Sequence, residues 1–400
     1  MMSKPKIAII GGGSSGLFLA NLLKDINADV YIIEKNNKLG KKILASGNGK
    51  CNFTNIYDLK DKYNSTFANT IIGKYTVKET LMLFEKNGLI YKNDDMGRCY
   101  PVSECSSSVL DCLKKGLNKS HILLDTEVRN ISIMNNKYVV EYKKGNDIFD
   151  YVVCCSGSCA SNLGSEKAYN YLNSLKIKIS NLRASLTPVI VKEDVSLLKG
   201  VRVKCKLEVF GSNNIELYKE EGEVLFKEDA LSGIAVFNAS SIINRKQDDY
   251  KIVLDLSSGM NKNQLYKYIR NNIKDSYNMF KGFLNDKLGE YIFLRSDVDK
   301  YNLKEKDIDK IVETISCLSF KVKDLYSLND AQVCSGGVEL SQLNQNLEMK
   351  KYPNMYIAGE LLDIDGISGG YNLQFAWSSA GVIAKDIICK IGEGECNEKE

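Results

Sequence analysis

The stretch KIAIIGGGSSGLFLANLLKD, Lys6 to Asp25, decides how this chain is read. Its first five residues are short, apolar and β-branched, as in a buried parallel strand, and they run directly into Gly11-Gly12-Gly13-Ser14-Ser15-Gly16, a G-x-G-x-x-G pattern. Apolar residues at helical spacing follow in LFLANLL, and a second strand pattern, ADVYIIEK, ends in the acidic Glu34. Alone, such a glycine pattern is weak and reads equally as an ordinary turn. Flanked by strand, helix, strand and acid, it predicts a βαβ unit that holds the adenosine and pyrophosphate of a dinucleotide. Gly11 is expected to permit the tight turn, Gly13 to let backbone N–H groups approach the pyrophosphate, and Gly16 to let the helix pack close on the strand. Ser14 and Ser15 share that loop, Glu34 would accept hydrogen bonds from the ribose, and Lys35 follows it.

Composition sets the frame around this motif. The 400 residues, 44% apolar, exceed the usual size of one domain and supply a large core. Lys and Arg number 54 against 50 acidic residues, and the formal charge of +4 is spread without a dense basic block. Nucleic acid is therefore neither demanded nor excluded. The 12 cysteines contain no C-x-x-C pair, so reduced thiols in a cytoplasmic setting are expected. The only histidine, His121, is read as structural, and no metal is expected. The N-terminus superficially resembles a signal peptide, but glycines break its apolar run. No stretch approaches the ~18 to 20 apolar residues needed to span a bilayer, so no membrane partner is expected.

The fingerprint does not separate a nicotinamide cofactor from FAD, because it reads the half that both share. Other segments decide. A second strand-like run, NMYIAGE (354–360), leads through LLDIDGISGG into the helical pattern of YNLQFAWSSAGVIAKDIICK. A helix N-terminus behind Gly369 and Gly370 can stabilise the negative charge of a reduced flavin at its N1 and C2 carbonyl edge. In mid-chain, DYVVCCSG (150–157) is a hydrophobic strand ending in Ser156 and Gly157, suited to another close backbone pass. One chain end would thus hold the adenosine half and the other the ring, as in an extended FAD.

With these segments located, the chain resembles the BaiN-like family of FAD-dependent oxidoreductases, flavoproteins of the two-dinucleotide-binding-domain architecture. The likeness runs through KLGKKILASGNGKCNFTN, GEVLFKEDALSGIAVFNAS, AQVCSGGVEL and YIAGELLDIDGISGGYNLQFAWSSAG, in that order. The departures are Asn48 and Lys50 within a usual SGGGRCN, Cys155-Ser156-Gly157-Ser158 at an ATGG-like element, and Ile234 where proline is common. The resemblance implies an α/β fold, with a Rossmann-like FAD-binding domain built from both chain ends and an inserted β-rich unit and small helical unit. The boundaries expected are 1–185 with 331–400 for the FAD-binding domain, 186–256 for the β-rich domain and 257–330 for the helical one.

The cofactor-binding set expected from these readings is Gly11, Gly13, Ser14, Ser15, Gly16, Glu34, Lys35, Lys42, Ser46, Gly47, Gly49, Cys51, Asn52, Val128, Ser156, Gly157, Gly359, Glu360, Asp363, Gly370, Tyr371, Asn372 and Leu373. Gly47 and Gly49 let backbone lie against the flavin, while Asn52 and Asn55 offer donors and acceptors to its polar edge. An Asx turn is the competing reading of Asn52. Lys42 reads equally as a phosphate contact or a solvated side chain. Glu360 and Asp363 have the best polar claim near the ribityl chain, with capping of the turn as the competing reading of each. Cys51 is read as packing beside the ring rather than as a nucleophile, and Cys154 and Cys155 as core. No residue is assigned to catalysis; Tyr371, Cys51 and Asn52 are the candidates.

The leading expectation is an FAD-dependent oxidoreductase acting on a small molecule. The resemblance suggests reduction of a conjugated C=C bond, as in a bile-acid-type enone, with transient NADH or NADPH as donor. No second glycine fingerprint is present for a nicotinamide cofactor. A flavin-dependent oxidase of a small amine such as aminoacetone is the alternative, and a flavoprotein working with RNA is the alternative of another class.

Overall fold

The Lys6–Ile10 strand lies at the centre of a five-stranded parallel sheet in the computed structural model, which describes residues 4–57, 59–117, 119–164 and 166–397. The strands lie side by side in the order Met355–Ile357, Tyr151–Cys154, Lys6–Ile10, Asp29–Ile33 and His121–Leu123. Ile7 stands opposite Val30 on one side and Tyr151 on the other. Ile7, Ala8 and Ile9 are fully buried, which explains an apolar run without alternation. The first and last segments of the chain thus meet in one sheet. His121 sits on the edge strand with its ring stacked on Tyr31.

The helix Ser14–Leu22 packs against the long final helix Tyr371–Asn397, where Phe18 lies 5.2 Å from Trp377 by ring centroid. An antiparallel sheet of Val128–Met134, Lys137–Tyr142 and Gly145–Phe149 leads straight into Tyr151–Cys154. Its first turn places Asn135 and Asn136 at φ of 51° and 61°, the left-handed pair that a two-residue hairpin requires. Cys154 and Cys155 are buried, and burial pushes the Cys154 thiol up to about 12.

By contact the chain divides into two units, 1–183 with 333–400 and 184–332. The second unit contains both the segment expected to be β-rich and the segment expected to be helical. Its six strands close a barrel in the order Val189–Val191, Ala230–Ser232, Glu216–Phe226, Arg202–Phe210, Lys251–Asp255 and Leu318–Leu325. The sixth strand comes after the helices Lys262–Asn272, Asp286–Ser296 and Ile308–Ser316, and it pairs with the first through Val189 and Leu325. Barrel and helices therefore share one core, in which Phe226 and Phe320 meet at 6.1 Å and Tyr291 and Ile311 are buried. The alternation in LSFKVKDL carried this strand's signal.

Candidate functional site

The parallel sheet switches its direction of growth between Lys6–Ile10 and Tyr151–Cys154, the place where open α/β sheets bind ligands. The two strands leave the sheet together, with the Cys155 N–H donating to the Ile10 carbonyl at 2.8 Å. Gly11 follows at φ +113°, and a Cβ on it would lie 2.4 Å from the Cys155 carbonyl oxygen. A Cβ on Gly16 would come within 2.0 Å of the Gly11 carbonyl oxygen. The chain's own packing requires both glycines. Gly13 is different: its φ is −90°, and nothing lies within 4 Å of a Cβ built there. It caps the helix Ser14–Leu22 without a side-chain hydrogen bond, so the first-turn N–H groups are left for an external acceptor.

Two further strand exits converge on this loop. Gly157 has φ +72°, and the nearest atom to a Cβ there is Glu360 Oε2 at 4.0 Å. Gly359 has φ +63°, and a Cβ would meet the buried Ser15 hydroxyl at 2.8 Å. Ser156 turns inward instead, its hydroxyl 2.9 Å from the Tyr171 hydroxyl and 3.1 Å from the Ala168 carbonyl.

Glu34 is buried and holds the loop as well as facing it. Its Oε2 accepts the Gly12 N–H at 2.8 Å, and its Oε1 accepts the backbone and side-chain N–H groups of Asn36 at 2.8 and 2.6 Å. Oε2 retains capacity for another donor. Lys35 beside it is exposed. Val128 is buried two residues beyond Thr126, whose N–H donates to the Glu34 carbonyl at 2.9 Å.

Lys42 is paired within the protein. Its Nζ donates to Glu360 Oε2 at 3.0 Å and lies 3.4 Å from the carbonyl and hydroxyl oxygens of Ser158. The pair is half-buried at the Gly157 exit, so Glu360 is positioned by a cation rather than standing alone. Asp363 accepts the Ser180 hydroxyl at 2.8 Å, which ties it to the protein.

The segment 46–55 is folded by its own left-handed residues: Gly47, Asn48, Gly49 and Cys51 have φ of 55°, 53°, 84° and 55°. The Ser46 hydroxyl donates to the Ile43 carbonyl at 2.6 Å. Cys51 is 0% exposed, and burial pushes its thiol up to about 11, only partly offset by a hydrogen bond with Ser46. A thiol in that state supplies almost no thiolate near neutral pH. Cys51→Ser is therefore expected to keep its flavin and turnover within roughly threefold. Flavin absorbance and steady-state rates check this; a loss of about 100-fold with flavin still bound would make the thiol a reactant.

The two asparagines of this segment separate. Asn55 is tied to the protein: its Nδ2 donates to the carbonyls of Gly369 and Met96 at 3.0 and 3.2 Å, and its Oδ1 accepts the Tyr57 N–H at 2.9 Å. Asn52 Oδ1 is buried with no hydrogen-bond partner among the described residues. It lies beside the start of the final helix, 2.8 Å from where a Cβ on Gly370 would stand. Gly370 itself has φ +93°, and the same Cβ would strike the Thr54 carbonyl oxygen at 2.6 Å.

Past Gly370 the side chains serve the loop. Asn372 Oδ1 accepts the Gly366 N–H and its Nδ2 donates to the Gly366 carbonyl, both at 2.8 Å. Tyr371 is buried, its ring edge-on to Tyr63 and its carbonyl accepting the Tyr63 hydroxyl at 2.8 Å. Leu373 is half-buried. Behind them, Thr54 donates to Gln374 at 2.5 Å and Trp377 Nε1 donates to the Phe53 carbonyl at 2.7 Å. These links join residues more than 300 apart and left no signal in local pattern.

The arrangement fits an extended flavin dinucleotide. Open space at Gly13 and Gly157, a helix start without a side-chain cap, and the unpartnered Asn52 oxygen each present a place for ligand atoms. A family model described as the HI0933-like protein Rossmann domain matches residues 5–386. A relative from Clostridium scindens, named 3-dehydro-bile acid delta(4,6)-reductase, is 30% identical over 94% of this chain and 97% of its own length. The proteins named ribosomal RNA dihydrouridine synthase from Escherichia coli and Haemophilus influenzae are each 26% identical, over 95% of this chain and 97% of theirs.

Proposed function

The chain belongs to the HI0933-like Rossmann-domain family and is a flavin-dependent oxidoreductase, and we propose that it reduces a C=C bond conjugated to a carbonyl in a small organic molecule. The 30% identity to a bile-acid reductase across nearly the whole of both chains carries this reading. When bound, FAD supplies two electrons as a hydride at its N5.

The residues that would hold it divide by region. The N–H groups that follow Gly13 would meet the pyrophosphate, and Glu34 would take a ribose hydroxyl on Oε2. Glu360, held by Lys42, offers its remaining lone pairs at the Gly157 exit. Asn52 presents an acceptor oxygen beside the N-terminus of the final helix, whose first-turn N–H groups favour negative charge at the ring. The buried aromatic wall of Phe53, Phe84 and Trp377 lies behind this segment and keeps water from its inner side. The side-chain amide of Asn372 and the hydroxyl of Ser180 hold the loops.

Reduction of an enone and conversion of uridine to dihydrouridine share one chemistry, addition of hydrogen across a C=C conjugated to a carbonyl. The two 26% identical relatives therefore support a second reading, in which the conjugated bond belongs to a base in RNA. The test is anaerobic mixing of the purified protein with NADH or NADPH, followed by steroid enones and by unmodified ribosomal RNA. Bleaching of the flavin by one nicotinamide and a gain of two hydrogens in an enone are expected. A gain in the RNA alone would replace the small-molecule reading, and absence of FAD from the reconstituted protein would remove both.

A further inference from the structure

Cys159 and Cys334 are 175 residues apart in sequence, yet their sulfurs lie 3.6 Å apart. Both are buried, at 4% and 1% exposure. Cys159 follows Ser158, whose carbonyl and hydroxyl face Lys42; Cys334 sits in the strand Val333–Ser335, with its sulfur 3.3 Å from the Ser335 carbonyl. The flavin reading uses neither thiol.

Their chemistry differs from that of the other buried cysteines. Burial is the largest cause of the raised thiols of Cys51, Cys99, Cys154 and Cys155, with the charge of Asp94 adding to it at Cys99 and that of Cys154 at Cys155. Cys159 is instead pulled down, first by its hydrogen bond with Cys334 and then, against the effect of burial, by its own backbone and the Lys42 charge. The same hydrogen bond and burial raise Cys334. The pair thus has one sulfur disposed to attack and one that keeps its proton. A third group lies within the electrostatic reach of both sulfurs: the Tyr169 hydroxyl is buried without a hydrogen-bond partner among the described residues. Its proton is held first by burial and then by the fields of Cys334, Cys159, Glu360 and Asp363.

We propose that Cys159 and Cys334 form a redox-active dithiol that a small hydroperoxide, such as hydrogen peroxide, oxidises to a disulfide. Cys159 thiolate attacks one peroxide oxygen: an S–O bond forms, the O–O bond breaks, and the departing hydroxide takes a proton to become water. Cys334 then loses its proton and attacks the Cys159 sulfur. An S–S bond forms, the S–O bond breaks, and a second water leaves with that proton. The two thiols lose two electrons and two protons, and peroxide becomes two waters. Closing the sulfurs to the ~2.05 Å of a disulfide needs a shift of about 1.5 Å. Tyr169 supplies an unused donor for a peroxide oxygen. The burial of both sulfurs selects for an oxidant of this size over a bulky disulfide.

The experiment counts thiols and depends on neither FAD nor turnover, so its failure is separate from failure of the flavin reading. The purified protein is reduced, freed of reductant, exposed to a small excess of hydrogen peroxide, quenched in acid, unfolded, alkylated and digested. Two of the 12 thiols are expected to disappear, in one peptide pair joining Cys159 to Cys334, and to return with dithiothreitol. In Cys334→Ser, Cys159 is expected to stop at a sulfenic acid that a 1,3-diketone reagent traps. Oxidation confined to the exposed Cys105, Cys317 and Cys389, or a linked pair of other cysteines, overturns the proposal in the native protein, whether or not the variant folds.

Discussion

Gly13→Val is expected to yield a folded protein that no longer holds FAD. Gly13 has φ −90° and ψ −159°, a region open to valine, and no atom lies within 4 Å of the new Cβ. The fold therefore has nothing to strain against; exchanging glycine for a β-branched residue at a helix cap costs about 1 kcal/mol. The branched side chain instead fills the space that the pyrophosphate needs beside the backbone. FAD affinity should fall at least ~100-fold, roughly 2.7 kcal/mol. Titration of the apoprotein by flavin fluorescence measures this, and thermal unfolding with and without FAD gives a second reading. The native protein gains stability as FAD is added, while the variant should not. Affinity within a few fold of native would falsify the assignment of this loop to the pyrophosphate. By contrast, alanine at Gly11 would drive a Cβ to 2.4 Å from the Cys155 carbonyl, so its failure would report folding, not binding.

Trp377→Ala is expected to cost more stability than truncating any other side chain in the FAD-binding unit. Trp377 is the only tryptophan, fully buried, with Phe18 at 5.2 Å and Phe84 at 5.5 Å by ring centroid. Truncating such a ring leaves a cavity worth about 3–5 kcal/mol. It also orphans the Phe53 carbonyl, which now accepts the indole N–H at 2.7 Å. For a unit of this size, each kcal/mol moves the midpoint by roughly 2–4 °C, so a fall of about 10 °C is expected in unfolding followed by circular dichroism. Trp377→Phe keeps most of the packing and should recover more than half of the loss. A fall of less than ~3 °C for the alanine variant would show that the final helix does not anchor the 46–55 segment through this residue.

Much of the flavin site was legible because its signals are local. Lys6–Ile10, the glycine loop and the helix Ser14–Leu22 were read from a strand period passing into a helical one, and the structure has all three in place. The same loop did not reveal that Gly11 and Gly16 answer to the chain's own backbone while Gly13 faces open space. That distinction depends on Cys155, which a separate strand brings to within a hydrogen bond of Ile10. Asn52 and Asn55 show the same limit: identical side chains three residues apart, one consumed by Gly369 and Met96, the other left with a buried unpartnered oxygen. The barrel strand Leu318–Leu325 alternates as a strand does, but it directly follows a helical pattern that masks where it begins.

The parallel strands, the glycine turns and the acid that closes the first βαβ unit follow from local sequence, because side-chain period and backbone sterics act over a few residues. Which polar groups remain for a ligand depends on contacts between distant segments. Lys42 meets Glu360 across 318 residues, and Cys159 meets Cys334 across 175. Such pairs form where the sheet and loops bring distant segments together, and burial there changes the acidity and hydrogen-bonding capacity that each side chain carries in isolation.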